Sequence, residues 1–132
     1  CTRVEETLCL AAMIQAIAAK LVQLRQANQS WRVYRKDLLD ENKWRAVRYG
    51  VEGKLIDFGK GKEVGFPTLI EEILEWVDDV VDDLGSRAEV EYAHTILRQG
   101  ASADRQLAVY REKQDFRAVV DQVVEETREG LE

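Results

Sequence analysis

Hydrophobic residues recur along most of this chain with the 3.6-residue period of an amphipathic α-helix. The pattern predicts six helices, at about residues 3–28, 37–49, 67–84, 87–99, 103–113 and 116–129. Between the second and third helices, the turn signal Gly59-Lys60-Gly61 separates two short runs and predicts one β-hairpin at about residues 54–64. We therefore expect a mainly α fold with one short β-hairpin, in a single domain of residues 1–132.

Residues with known preferences for helix ends support these boundaries. Side chains that can cap a helix N-terminus precede four of the predicted helices: Thr2, Ser86, Ser102 and Asp115. The first two are each followed three residues later by a glutamate, which is the spacing of a capping box. Gly50 is expected to end the second helix in the left-handed conformation, and Pro67 suits the first turn of the third helix.

The first predicted helix is apolar around most of its circumference. Its apolar positions include Leu8, Ala11, Ala12, Ile14, Ala18, Leu21 and Val22. Gln15, Lys20 and Gln23 interrupt this helix, so no unbroken run reaches the roughly 18 apolar residues of a membrane span, and we expect no membrane partner. A helix this apolar should be buried on more than one side. Because 132 residues can hardly do this alone, we expect a homo-oligomer or docking to a missing N-terminal part.

Composition and charge narrow the class of protein. Hydrophobic residues make up 45% of the chain and charged residues 33%, which is typical of a folded domain. The net charge of −6 argues against a nucleic-acid partner, which would need a basic surface. Cys1 and Cys9 would lie about 12 Å apart along one helix, too far for a disulfide. With no disulfide framework and no signal peptide, we expect a cytoplasmic protein.

The densest group of candidate binding residues is the segment 41–50, Glu-Asn-Lys-Trp-Arg-Ala-Val-Arg-Tyr-Gly. On a helix, one face carries Leu38, Asn42, Arg45, Ala46 and Tyr49, and Arg48 lies at its edge. A guanidinium group there offers a planar fork of donors that suits a carboxylate or a phosphate. We therefore predict an anion-binding helix end. The alternative is a surface helix whose arginines only bury their aliphatic stems.

The third predicted helix carries an acidic run over residues 71–83. Its acids at helical spacing are typical of a Mg²⁺ site that bridges a diphosphate, and they include Glu71, Glu72, Glu75, Asp78 and Asp79. The alternative is a solvated helix face, because the later helices offer only scattered acids to complete a metal site. His94 is the only histidine, and no Ser/His/Asp set or zinc site can be argued around it. We therefore assign no metal ligand and no catalytic residue to this chain.

Five segments together resemble one known family. They are Cys-Thr-Arg-Val-Glu-Glu-Thr at 1–7, the segment 41–50, Leu-Ile-Asp-Phe at 55–58, Ala-Asp-Arg-Gln at 103–106 and Val-Val-Glu-Glu-Thr at 123–127. In this order and spacing they resemble the C-terminal part of carboxylate–amine ligases of the glutamate–cysteine ligase type 2 family. The resemblance covers essentially the whole chain but only about the last third of a family member.

The resemblance implies a function that the residue patterns alone do not. Family members form an amide bond with ATP and Mg²⁺ through an acyl phosphate, and act on a small amino-acid substrate. Their fold is similar to that of glutamine synthetase, and its main sheet would belong to an N-terminal part that is absent here. The resemblance places Asn42 and Arg48, and less directly Arg45 and Arg3, on the substrate or phosphate side of the pocket. The chain alone would be inactive and would hold no cofactor tightly.

Two other classes of protein remain open from the residues. One is a helical Mg²⁺-dependent hydrolase that uses the acidic helix 71–83. The other is a non-catalytic helical module that binds an anionic ligand.

Overall fold

The computed structural model describes residues 2–30 and 33–129. In chain order the elements are α1 (Val4–Gln26), α2 (Lys36–Tyr49), a 3₁₀ turn (Gly50–Glu52), β1 (Lys54–Asp57), β2 (Lys62–Gly65), α3 (Phe66–Val81), α4 (Arg87–Glu91), α5 (Ala93–Gln99), α6 (Ser102–Lys113) and α7 (Phe116–Arg128). The prediction of a mainly helical fold with one short antiparallel hairpin is confirmed.

Contacts within the chain divide it into two compact units. The first unit contains the described residues up to Gln15 and from Leu84 onward, and the second is Ala16–Asp83. The sequence predicts a single domain of residues 1–132, and this domain assignment stays a prediction.

The first unit has a small core of short side chains. Cys9, Ala12, Val90 and Ala93 are buried in it. The Cys9 Sγ lies 4.0 Å from the Val90 carbonyl oxygen, and burial raises the pKa of this thiol. Helices α6 and α7 pack against each other in the same unit. Cys1 lies outside the described residues.

The second unit is built around the hairpin and α3. Strands β1 and β2 are antiparallel, with Lys54 opposite Gly65 and Ile56 opposite Glu63. Helix α3 begins directly after β2 with Pro67 in its first turn, as the sequence predicts. Its Val77, Val80 and Val81 supply the buried apolar side of the helix.

The predicted helix over residues 87–99 is divided at Tyr92 into α4 and α5. Tyr92 keeps helical dihedral angles, with φ −59° and ψ −18°. The Thr95 N–H donates to the Tyr92 carbonyl at 2.9 Å, three residues back, which is a 3₁₀-type bond. The division is therefore a local tightening of one turn, and no Gly or Pro marks it in the sequence.

The predicted helix caps are only partly correct. The Asp115 carboxylate caps α7 by accepting the Arg117 N–H at 3.0 Å, as predicted. Ser86 makes no capping bond, and Thr2 instead donates its hydroxyl to the Glu126 carboxylate. The N-cap of α6 is Ala101 rather than Ser102, since the Asp104 carboxylate accepts the Ala101 N–H.

Gly50 ends α2 with a positive φ, as expected, but not in the left-handed helical region. Its φ is 57° and its ψ is −144°, and its N–H donates to the Ala46 carbonyl. This conformation favours glycine, and it leads the chain into the 3₁₀ turn.

Helix α1 is covered on one of its sides only. Buried positions recur on it at Glu6, Cys9, Ala12 and Ala16, whereas Leu8, Leu10, Ile14, Leu21 and Val22 are exposed. Within the described residues, the expected burial on more than one side is therefore not found. In the same part of the chain, α1 is the one helix long and apolar enough to cross a membrane by length and composition. The sequence predicts that the polar residues in α1 leave no apolar run of this length. The core helices of soluble proteins, however, can have the same length and composition.

Candidate functional site

The side chain of Asn42 holds α2 against the hairpin. Its Oδ1 accepts the Ile56 N–H at 2.7 Å, and its Nδ2 donates to the Ile56 carbonyl at 2.9 Å. Ile56 is paired with Glu63 of β2, but its backbone N–H and carbonyl bond to Asn42 instead of to β2. These two groups therefore point away from β2, at the outer edge of β1. The carboxamide thereby satisfies a strand edge that would otherwise need water or another strand.

Arg45 is bound by two carboxylates in the same unit. Its Nε donates to Glu41 Oε1 at 2.8 Å and its Nη1 donates to Glu63 Oε1 at 2.7 Å. Hydrogen bonds to Glu41 and then Glu63 raise the pKa of the guanidinium above its usual value. Arg45 therefore connects α2 to β2, and its charge is compensated locally.

Arg48, one turn further along α2, has different surroundings. It is exposed in the last turn of the helix. Its Cζ lies 5.8 Å from the centroid of the Tyr49 ring, a distance typical of a cation–π contact. The Tyr49 ring in turn packs edge-on against Trp44, with an angle of 90° between the two ring planes. Among the described residues, no hydrogen-bond or ion-pair partner is found for its guanidinium. Its donors are therefore available to an anionic ligand.

The turn of the hairpin is fixed by Asp57. Its Oδ1 accepts the backbone N–H groups of Gly59 and Lys60, each at 2.9 Å. The Lys60 N–H is the main cause of a lowered pKa for this carboxyl. Lys60 Nζ in turn donates to Glu72 on α3 at 2.6 Å. Together with Asn42, these contacts give the hairpin a defined position between α2 and α3.

A second cluster lies in the first unit and is centred on Arg105 of α6. Its Nε donates to Glu126 Oε1 at 2.8 Å, its Nη2 lies 2.6 Å from Glu6 Oε1, and its Nη1 donates to the Gly100 carbonyl at 2.9 Å. Glu6 and Glu126 are 4% and 3% exposed. One guanidinium thus links the N-terminal turn of α1 to α6 and α7.

Arg3 belongs to this second cluster. Its Nη1 donates to Gln99 Oε1 at 2.6 Å, and its Nη2 forms an ion pair with Glu126 Oε1 at 3.7 Å. Its Nε is buried and has no hydrogen-bond partner among the described residues. Arg3 is therefore less completely satisfied than Arg105.

Glu126 remains ionised because its partners outweigh its burial. Burial alone would raise the pKa of this carboxyl, but hydrogen bonds from Arg105, Thr2 and Gln122 lower the pKa to about 2. The cluster is thus a buried pair of carboxylates balanced by arginines.

The structure brings the five resembling segments together in two groups. Segments 41–50 and 55–58 meet through Asn42 and Ile56, whereas segments 1–7, 103–106 and 123–127 meet at Arg105. Among the predicted site residues, Asn42, Arg45 and Arg48 share α2, and Arg3 belongs to the other unit. The sequence reasoning did not select Glu6 or Glu126, although both lie in segments that carry the resemblance.

Two of the acidic residues of α3, Glu72 and Asp79, are paired with lysines. Lys20 Nζ lies 2.7 Å and 2.6 Å from the two carboxylate oxygens of Asp79, and Lys60 pairs with Glu72. Within residues 2–30 and 33–129, no group of three or more His, Cys, Asp or Glu side chains could hold a metal ion. These contacts fit a solvated acidic face better than a Mg²⁺ site.

Comparison with known proteins gives one consistent family. The sequence matches glutamate–cysteine ligase family 2 over residues 1–126. Relatives from Chloroflexus aggregans, Herpetosiphon aurantiacus and Solibacter usitatus are 58%, 52% and 54% identical over 98% of this chain, and each is provisionally named glutamate–cysteine ligase 2. The chain spans only 33–34% of the length of these relatives. No solved structure matches.

Proposed function

Because the chain belongs to glutamate–cysteine ligase family 2, we propose that it forms part of an enzyme that joins the carboxylate of glutamate to the amine of cysteine. ATP would supply the phosphoryl group that converts the carboxylate into an acyl phosphate, from which the amine displaces phosphate. The observation that supports this proposal is the match of the family over nearly the entire chain. A chain that spans a third of its relatives would contribute binding residues rather than the whole active site.

Arg48 is the residue of this chain that best fits an anionic substrate. Both the acyl phosphate and the substrate carboxylates carry negative oxygens, and fixed guanidinium donors stabilise such groups. The guanidinium of Arg48 is exposed, and its Cζ lies 5.8 Å from the centroid of the Tyr49 ring, so its donors are accessible to such a ligand.

The other predicted site residues on α2, Asn42 and Arg45, would act on the same ligand less directly. Asn42 and Arg45 use their polar atoms on Ile56, Glu41 and Glu63, so they would fix the position of the helix that carries Arg48. Arg3 belongs to the first unit, and its buried Nε, which has no hydrogen-bond partner among the described residues, would make it a separate candidate for an anionic group.

The role of Arg48 can be tested in a chimera in which this chain replaces the matching 130 residues of the Chloroflexus aggregans relative. We expect Arg48→Ala to lower kcat/KM for ATP-dependent ligation by roughly 10²–10³-fold, the usual loss for a donor to developing negative charge. Because the side chain is exposed and lacks an ion-pair partner, we expect the melting temperature to stay nearly unchanged.

Arg128→Ala is the matched control. Arg128 is also an exposed arginine in the last turn of a helix, α7, so it shares the charge and the helix-end position of Arg48. We expect this variant to keep its ligation rate. Full activity in the Arg48→Ala chimera, or an equal loss in both variants, would remove Arg48 from the site.

A further inference from the structure

The part of α1 that lies in the first unit carries apolar side chains that no other part of that unit covers. Between Thr7 and Gln15 the exposed positions are Leu8, Leu10, Ala11 and Ile14, and none of them is charged. Ile14 is 69% exposed. We call these positions the open face of α1. Water contact with so many aliphatic groups is unfavourable, so such a face marks an interaction surface.

The opposite side of α1 is already occupied by its own chain. Glu6 is buried there and pairs with Arg105, and the Cys9 thiol faces the Val90 carbonyl. If α1 spanned a bilayer, hydrocarbon would surround it on all sides and would take in the Glu6–Arg105 pair, which is costly. The open face therefore suits a protein surface that covers one side of the helix.

The lengths of the relatives indicate which protein surface this is. The chain matches them over 98% of its own length but over only 33–34% of theirs. About two thirds of such a ligase polypeptide therefore lies outside the matched region. A segment of the same polypeptide is present at a high effective concentration, whereas a second copy must be recruited from solution.

We propose that the open face of α1 is the docking surface for the remaining two thirds of the ligase polypeptide. Ala11 leaves room on it for a close approach, and Leu8, Leu10 and Ile14 supply aliphatic area. The proposal rests on the proposed assignment of this chain to a larger ligase. It does not depend on the role of Arg48, so a binding measurement can fail independently of an activity measurement.

Thiol labelling at Ile14 tests this docking surface. Ile14→Cys is introduced into the 132-residue chain and into the chimera with the Chloroflexus aggregans relative. Val33→Cys is the matched control, because Val33 is 93% exposed and lies outside the helices. Labelling by a polar maleimide is followed by mass spectrometry of the peptide that contains each position. We expect labelling at position 14 to be at least tenfold slower in the chimera, with position 33 unchanged.

Three results would overturn the proposal. The first is equal labelling of position 14 in the chain and in the chimera. The second is protection in the isolated chain that rises with its concentration, which would assign the face to a second copy. The third is protection by phosphatidylcholine vesicles, which would assign the face to a membrane.

As a check that avoids labelling, Ile14→Glu should lower the melting temperature of the chimera, and an unchanged melting temperature would also contradict the proposal.

Discussion

The carboxamide of Asn42 has the same donor and acceptor as a peptide group, and this likeness explains its place beside β1. It pairs with both polar atoms of Ile56 and so extends the hairpin by one peptide-like unit. Arg45 then fixes the next turn of α2 to β2 through Glu63. Arg48, by contrast, has no hydrogen-bond or ion-pair partner among the described residues.

Replacing Asn42 should loosen β1. In Asn42→Ala both bonds to Ile56 are lost, at a cost of roughly 0.5–1.5 kcal/mol each. We expect the Ile56 amide to exchange with solvent roughly tenfold faster or more, measured by NMR hydrogen exchange on the chain. Lys43→Ala, an exposed neighbour on α2, is the control and should leave this exchange rate unchanged. Wild-type protection of Ile56 in Asn42→Ala would show that the amide does not hold the strand.

At the scale of elements, the second cluster connects α1, α6 and α7 through charged side chains rather than through a large apolar core. Arg105 contacts a glutamate of α1 and a glutamate of α7, and Thr2 adds a hydroxyl. Breaking one member of a buried ion pair leaves an uncompensated charge, which destabilises far more than losing an exposed pair. The packing of these three helices should therefore depend on the ionisation of Glu126.

Acid should weaken this cluster in a defined pH range. The pKa of Glu126 is lowered from 4.5 to about 2, so its contribution to folding is complete above about pH 5 and is lost as the pH falls toward 2. We expect the free energy of unfolding, measured by urea titration, to fall by at most about 3 kcal/mol from this group over that range. Glu126→Gln should be less stable at pH 7 and should show a shallower pH dependence.

Glu125→Gln provides the control for this experiment. Glu125 is the exposed neighbour of Glu126 on α7. We expect its replacement to leave both the stability at pH 7 and the acid dependence close to those of the wild type. If the two variants gave identical pH profiles, Glu126 would not be the group responsible.

The sequence predicts the helices and the hairpin well because their apolar periods and turn residues are local signals. It does not predict the division at Tyr92, since a single 3₁₀-type bond there leaves no mark in the composition. It also assigns Thr2 to a cap, because local spacing cannot reveal that Glu126, 124 positions away, accepts its hydroxyl. For the candidate site, the sequence selects the segment that contains Arg48, and this selection stays a prediction; it does not predict that Asn42 bonds to the backbone of Ile56.

At the scale of the whole molecule, the chain belongs to a ligase family yet spans only about a third of its relatives. Its two compact units each contain a polar cluster built from the segments that mark the family. Open apolar surface on α1 and free donors on Arg48 are both features that a longer polypeptide could complete.

The most direct test is the rate of ADP release by the chimera when ATP, glutamate and cysteine are supplied together. If this chain is a functional part of a glutamate–cysteine ligase, we predict ADP release that requires both amino acids. Its rate should be within about tenfold of the rate of the unmodified Chloroflexus aggregans relative, because a tenfold change in rate corresponds to only about 1.4 kcal/mol of activation free energy. A chimera that melts cooperatively but releases no ADP, while the unmodified relative does, would contradict the account.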